Sequence, residues 1–132
     1  MLRPKNRTSD NPHKKTKTEI WKEKNSDLIA LINSREIDQA MTVGQELLRF
    51  AEKNFQKNSR EKATTYNNTG MVFFLARDYE LAEKCFNKAL KMRKQIFGDK
   101  HNEVAVVLMN LAQLYKAQAD EILVINRVET SQ

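Results

Sequence analysis

Displaced by 42 residues, the chain falls on itself, and this period limits the fold more than any other feature. Arg35-Glu36-Ile37-Asp38-Gln39-Ala40 lies over Arg77-Asp78-Tyr79-Glu80-Leu81-Ala82, keeping the arginine, the alanine and the acid-apolar-acid order. Leu48 meets Leu90 and Phe55 meets Phe97. One period further, Ala63 meets Ala105, Asn68 meets Asn110, Gly70 meets Ala112, Phe73 meets Tyr115, Asp78 meets Asp120 and Leu81 meets Leu123. Apolar, small and turn-forming positions recurring in a fixed order are the pattern of a stacked supersecondary unit.

Each unit reads as two helices. Ala63, Tyr66, Gly70, Phe73 and Phe74 recur at three- and four-residue spacing, the period of one helix face. Asp78 offers a side-chain cap for the next helix, which carries Leu81, Ala82, Cys85, Phe86, Ala89, Leu90 and Ile96 and stops at Gly98. Ser59 and Thr18 start helices by the same reasoning, and Asn102 followed by Glu103 starts another. The spacing predicts six helices, near 19–33, 36–57, 60–76, 79–97, 103–118 and a short 120–129. Gly70, Ala82, Ala89 and Ala112 allow paired helices to approach closely. Only 3 glycines and 2 prolines among 132 residues leave too few turns for an all-β fold.

Charge is unevenly placed. The chain carries a net +6, yet residues 1–24 hold eight basic and three acidic residues, a net of +5. The remaining 15 basic and 14 acidic residues nearly cancel. Residues 1–17 hold both prolines and almost nothing apolar, and read as a flexible basic arm before a repeat domain at 18–132. The arm is either a solubilising tail or an electrostatic contact to nucleic acid, anionic lipid or an acidic protein. The units span about 21–62, 63–104 and 105–132, the last truncated.

Chemistry-bearing residues are few. The single cysteine, Cys85, forms no intrachain disulfide and reads as a small core residue. The two histidines, His13 and His101, form no metal cluster with it. No phosphate-binding glycine loop or nucleophile elbow occurs, so neither catalysis, a metal nor a cofactor is expected. No secretory leader or membrane span is visible, and the expected location is cytoplasmic. Lys84, Lys88, Lys91 and Lys94 form a basic stripe on one helix, read first as a solvated face and second as a contact for an acidic partner. His101 reads as a turn or capping residue and Trp21 as N-terminal packing.

The stretch Tyr66-Asn67-Asn68-Thr69-Gly70, then Phe73, Asp78-Tyr79-Glu80, Ala82, Phe86 and Ala89-Leu90, resembles the tetratricopeptide repeat (TPR) family. Its 42-residue period is similar to the long-helix variant of kinesin light chains and many bacterial proteins, as is the linker Gly98-Asp99-Lys100-His101-Asn102-Glu103. The resemblance covers about 19–128 and is strongest over 60–118; Leu28, Gly44, Glu121 and Val124 depart from the pattern. It implies an all-α solenoid of two and a half to three units that binds a protein, capturing a peptide or helix on its inner face. It further implies that Asn68 and Asn110 hydrogen-bond a peptide backbone, flanked by Thr64, Asn67, Met71, Gln113 and Lys116, with Ser26 as the aligned residue of the first unit. The alternative role for the asparagines is to cap or bridge within the fold. The rival functions are assembly of copies through the solenoid ends, where Leu123, Val124 and Val128 leave an apolar edge, and nucleic-acid binding through the arm.

Overall fold

The computed structural model describes residues 14–130, all helix and connecting turns. Five helices follow in order: α1 (Lys17–Asn33), α2 (Ile37–Asn54), α3 (Arg60–Leu75), α4 (Tyr79–Phe97) and α5 (Asn102–Thr130). The segment expected to be a basic arm lies outside the described residues as far as residue 13. Beyond it, Lys15 pairs with Glu23 at 2.7 Å.

Local signals start and stop most helices. Ser59 and Asp78 accept from the Lys62 and Leu81 backbone N–H groups, as their positions imply. Gly98 ends α4 at φ 87°, a conformation that costs glycine little. Two caps differ from expectation. Helix α1 starts earlier than Thr18, because Thr16 and Glu19 form a reciprocal capping box. Helix α5 is capped from His101, not Asn102: the His101 carbonyl accepts from Val104 and Ala105, and its Nδ1 accepts from Glu103 N–H at 3.0 Å. Helix α2 ends at Asn54, where the backbone turns extended at Phe55.

Within the first two units the turn between helices is the same object, 42 residues apart. Arg35 and Arg77 adopt positive φ, 61° and 64°. Each follows a helix closed by a 6→1 bond, Glu36 N–H to Leu31 O and Asp78 N–H to Phe73 O. In the third unit this turn is absent. Helix α5 runs 29 residues without a break, so the separate helix expected at 120–129 does not exist. Left-handed backbone costs a non-glycine residue about 1–2 kcal/mol, which docking of the following helix must offset. Ala82, Cys85 and Phe86 do so in α4, but their equivalents are Val124, Arg127 and Val128. Asp120, the counterpart of the capping Asp78, accepts instead from Lys116 at 2.9 Å inside the helix.

The core is two clusters joined through α3. Trp21, Leu28 and Ile32 of α1 meet Ala40, Leu47 and Ala51 of α2 and Val72 of α3. Tyr66 of α3 meets Ala82, Cys85, Phe86 and Ala89 of α4 and Val107, Leu111 and Leu114 of α5. Because α3 packs against α1, α2, α4 and α5, even its polar residues Thr65, Asn67 and Thr69 are buried. Trp21 packs as expected and donates from Nε1 to Thr65 Oγ1 at 2.8 Å. Thr69 Oγ1 is buried and has no hydrogen-bond partner among the described residues. Thr69→Val keeps the shape and removes that desolvated hydroxyl, so it is expected to stabilise the fold by about 1 kcal/mol. A chemical-denaturation midpoint unchanged or lowered in the variant would contradict this.

Candidate functional site

Stacking the units lays the first helices α1, α3 and α5 side by side. Between them runs an open groove of about 730 Å³. Every lining residue comes from those three helices or from the turn at Arg35; α2 and α4 contribute none. The floor is apolar, from Ile32, Met71, Phe74 and Leu75, and the walls carry amides and charges, among them Asn67, Asn68, Gln113, Lys116 and Asp120.

Amides bridge neighbouring first helices in a ladder. Asn68 Nδ2 donates to Asn25 Oδ1 at 2.8 Å, and Asn110 Nδ2 donates to Asn67 Oδ1 at 2.9 Å. Both bonds join adjacent first helices over the same sequence separation, 43 residues, so the ladder repeats with the fold. Each bond uses one amide hydrogen of its donor. The second hydrogen and the carbonyl oxygen of Asn68 and Asn110 remain chemically available to a ligand.

Five of the sequence-predicted residues, Asn67, Asn68, Met71, Gln113 and Lys116, therefore line one groove. Asn110 stands beside it, bonded to Asn67. Thr64 is not brought there: it faces the other end of α3, 3.4 Å from Arg93 Nη2. Sequence reasoning missed Asn25 and the floor residues Ile32, Phe74 and Leu75. The signal was present, since Asn25 precedes Asn67 by one period, but the alignment was read at Ser26.

The other singled-out residues lie apart from the groove. Lys84, Lys88, Lys91 and Lys94 are exposed along α4. Lys84 makes a long ion pair with Glu80, and Lys88 stands 5.1 Å over the Tyr66 ring. Burial pushes the Cys85 thiol up to about 11, against a weaker downward pull from Lys88. At neutral pH it is therefore a packing residue and a poor nucleophile. His101 stacks on Phe97 at 4.3 Å, and Arg60 lies 5.1 Å over the same Phe97 ring. Among the described residues no group of three or more His, Cys, Asp or Glu is placed to hold a metal, and no helix is long and apolar enough to cross a membrane.

Paired helices stacked at a fixed 42-residue period, with an amide-lined groove along their first helices, define a helical-repeat solenoid of the kind that mediates protein–protein interaction. The chain belongs to the tetratricopeptide repeat family, whose profile matches residues 34–95 and 61–125. No curated protein matches it. Among solved structures, the crystal structure of BtubC (BKLC) from P. vanneervenii is similar, with a TM-score of 0.74 and 24% identity. The likeness covers 84% of this chain and 44% of BtubC, so the chain spans under half the length of that protein.

Proposed function

We propose that this protein is an interaction module that captures a segment of a partner protein in the groove between α1, α3 and α5, without catalysis of its own. One observation carries the reading: only the first helix of each unit, with the Arg35 turn, lines the groove, and these helices set the amides of Asn33, Asn67, Asn68 and Gln113 along it. A peptide backbone repeats its N–H and C=O groups at regular intervals, and a ladder of asparagines meets them whatever the ligand's side chains. The apolar floor from Met71 to Leu75 adds a seat for one or two apolar side chains of the ligand. The Lys116–Asp120 pair at one wall lies where a charged ligand residue competes for either partner.

Selecting binders from a random peptide library on the immobilised protein, then titrating them, tests this. Asn68→Ala combined with Asn110→Ala removes two hydrogen-bonding amides, each worth about 0.5–1.5 kcal/mol, so affinity should fall roughly 5- to 150-fold. Met71→Glu should abolish binding by placing a charge on the apolar floor. Thermal melts of both variants must stay cooperative, because the asparagines also bridge helices. Wild-type affinity in both folded variants would overturn the groove assignment.

A further inference from the structure

The repeat makes Lys62 anomalous. One period to either side its position holds Ile20 and Val104, and Val104 is buried in the core. A lysine at an apolar position of a packed unit costs stability unless its charge is matched. Here the match is incomplete. The Lys62 side chain is 10% exposed, and the carboxylate of Glu52 lies 3.6 Å from its Nζ, beyond hydrogen-bond reach. Among the described residues this Nζ makes no hydrogen bond, although an ammonium carries three donors. Lys62 lines a cavity of about 360 Å³ between α2, α3 and α4, to which α1 and α5 contribute nothing. Lys57, from the turn after α2, and Lys88 and Lys91, from α4, line the same cavity. These three have no ion-pair partner among the described residues. Lys88, Lys91, Met92 and Gln95 recur at i, i+3, i+4 and i+7, so one face of α4 turns half of the lysine stripe into a cavity wall. Lys84 and Lys94 stay outside it.

We infer that this cavity is a binding site for a phosphoryl group, centred on the buried ammonium of Lys62. The charge balance selects the anion. Four lysines and a single carboxylate, Glu52, line the cavity, an excess of three positive charges. A carboxylate ligand would offset one of them, whereas a phosphoryl group brings a charge of about −1.5 to −2 and three strong acceptor oxygens. Lysine meets phosphate as a point charge, without the fixed fork of arginine, so ammonium groups from three separate elements can converge on one group. Lys88 stands 5.1 Å over the ring of Tyr66, which with Met92 gives the cavity an apolar wall. Beside such a wall each charge–charge contact is stronger than in open water. Glu52 is half-exposed near the end of α2, so it can turn to solvent as the entering anion takes over Lys62. A phosphorylated side chain of a protein and a free phosphate ester present the same oxygens to these lysines. The site shares no lining residue with the peptide groove and does not rest on that reading.

Titration calorimetry on the full chain tests the inference, with glycerol 3-phosphate and a glycine pentapeptide carrying one central phosphoserine as probes. At least one probe should bind saturably. Lys62→Met keeps an apolar stem and removes the charge, so it should weaken that binding by roughly tenfold or more. Its melting temperature should hold or rise, because an apolar side chain replaces a poorly matched buried charge. Glu52→Gln should tighten binding by removing the competing carboxylate. Lys88→Ala with Lys91→Ala, both exposed positions, should weaken it without loss of fold, and Lys84→Ala should leave it unchanged. Tighter binding of the peptide assigns the site to a phosphorylated protein, and binding of the ester at least as tight assigns it to a free phosphate ester; either upholds the site. No saturable binding of either probe would overturn it, as would unchanged affinity in Lys62→Met. Equal affinity for the peptide with glutamate in place of phosphoserine would reduce the site to general attraction of acids and overturn it. A single-stranded oligonucleotide whose binding falls as much in Lys84→Ala as in Lys88→Ala, and which outcompetes both probes, would mean a diffuse nucleic-acid face and overturn it equally.

Discussion

Phe86→Ala is expected to destabilise the protein by about 3–5 kcal/mol, the range for deleting a buried aromatic ring. The site leaves little room for relaxation. Phe86 is 0% exposed, and its ring sits in a notch that exists because residue 70 has no side chain. A Cβ at Gly70 would fall 2.7 Å from both Cδ1 and Cε1 of that ring and 3.2 Å from Cys85 Cβ. Gly70→Ala should therefore be destabilising in spite of the gain of about 1 kcal/mol that alanine brings to a helix interior. Overpacking costs about 1–3 kcal/mol. The two sites are one packing unit, so their effects must not add. Phe86→Leu vacates the space that the new methyl needs, and the pair Gly70→Ala with Phe86→Leu should lose less than the two single changes together. A double-mutant cycle by urea denaturation reads this coupling; additivity within about 0.5 kcal/mol would refute the notch.

Replacing Arg93 by alanine should be the next most costly change, about 2–3 kcal/mol after discounting a broken buried ion pair for the exposure of one partner. Arg93 is only 4% exposed and ties three helices together. Its Nη1 donates to the Glu103 carbonyl at 3.0 Å, its Nη2 meets the Glu103 carboxylate at 3.1 Å, and Nη2 reaches Thr64 at 3.4 Å. Burial works to lower the pKa of the guanidinium, and the Glu103 charge opposes that shift. The asymmetry of the pair gives the sharper test. Glu103 is about half-exposed, and Glu103→Gln keeps the backbone carbonyl that Nη1 uses, so it should cost no more than about 1 kcal/mol. Equal losses in Arg93→Ala and Glu103→Gln would mean that the charge pair, and not the backbone bond and the packed stem, holds α3, α4 and α5 in register.

Arg93 also shows where reading from sequence stops. A buried arginine in the last turns of α4 has no periodic signature, and nothing in the chain order predicts that it reaches Thr64 on α3. The amide ladder was half legible. Asn68 and Asn110 stand out by their spacing, whereas Asn25 is recognised only once α1 lies beside α3. Capping shows the same division: Ser59, Asp78 and Gly98 act where local chemistry puts them. Thr16 and His101 displace Thr18 and Asn102, because a reciprocal capping box and a second acceptor from the imidazole satisfy more backbone donors.

What the sequence by itself determined is the unit: a 42-residue pair of helices, its small and aromatic packing positions, and the face on which amides recur. These follow from side-chain periodicity and local caps, which act over a few residues. Tertiary structure alone decided that α5 runs straight through Thr130. Ala119 occupies the position of Arg35 and Arg77, and no residue type there forbids either outcome. The strained turn forms where a following helix buries a face like that of Ala82 and Phe86 against its neighbour, and the third unit lacks that face. A turn's local cost is set by the residues in it, but whether that cost is met depends on the helix that docks beyond it.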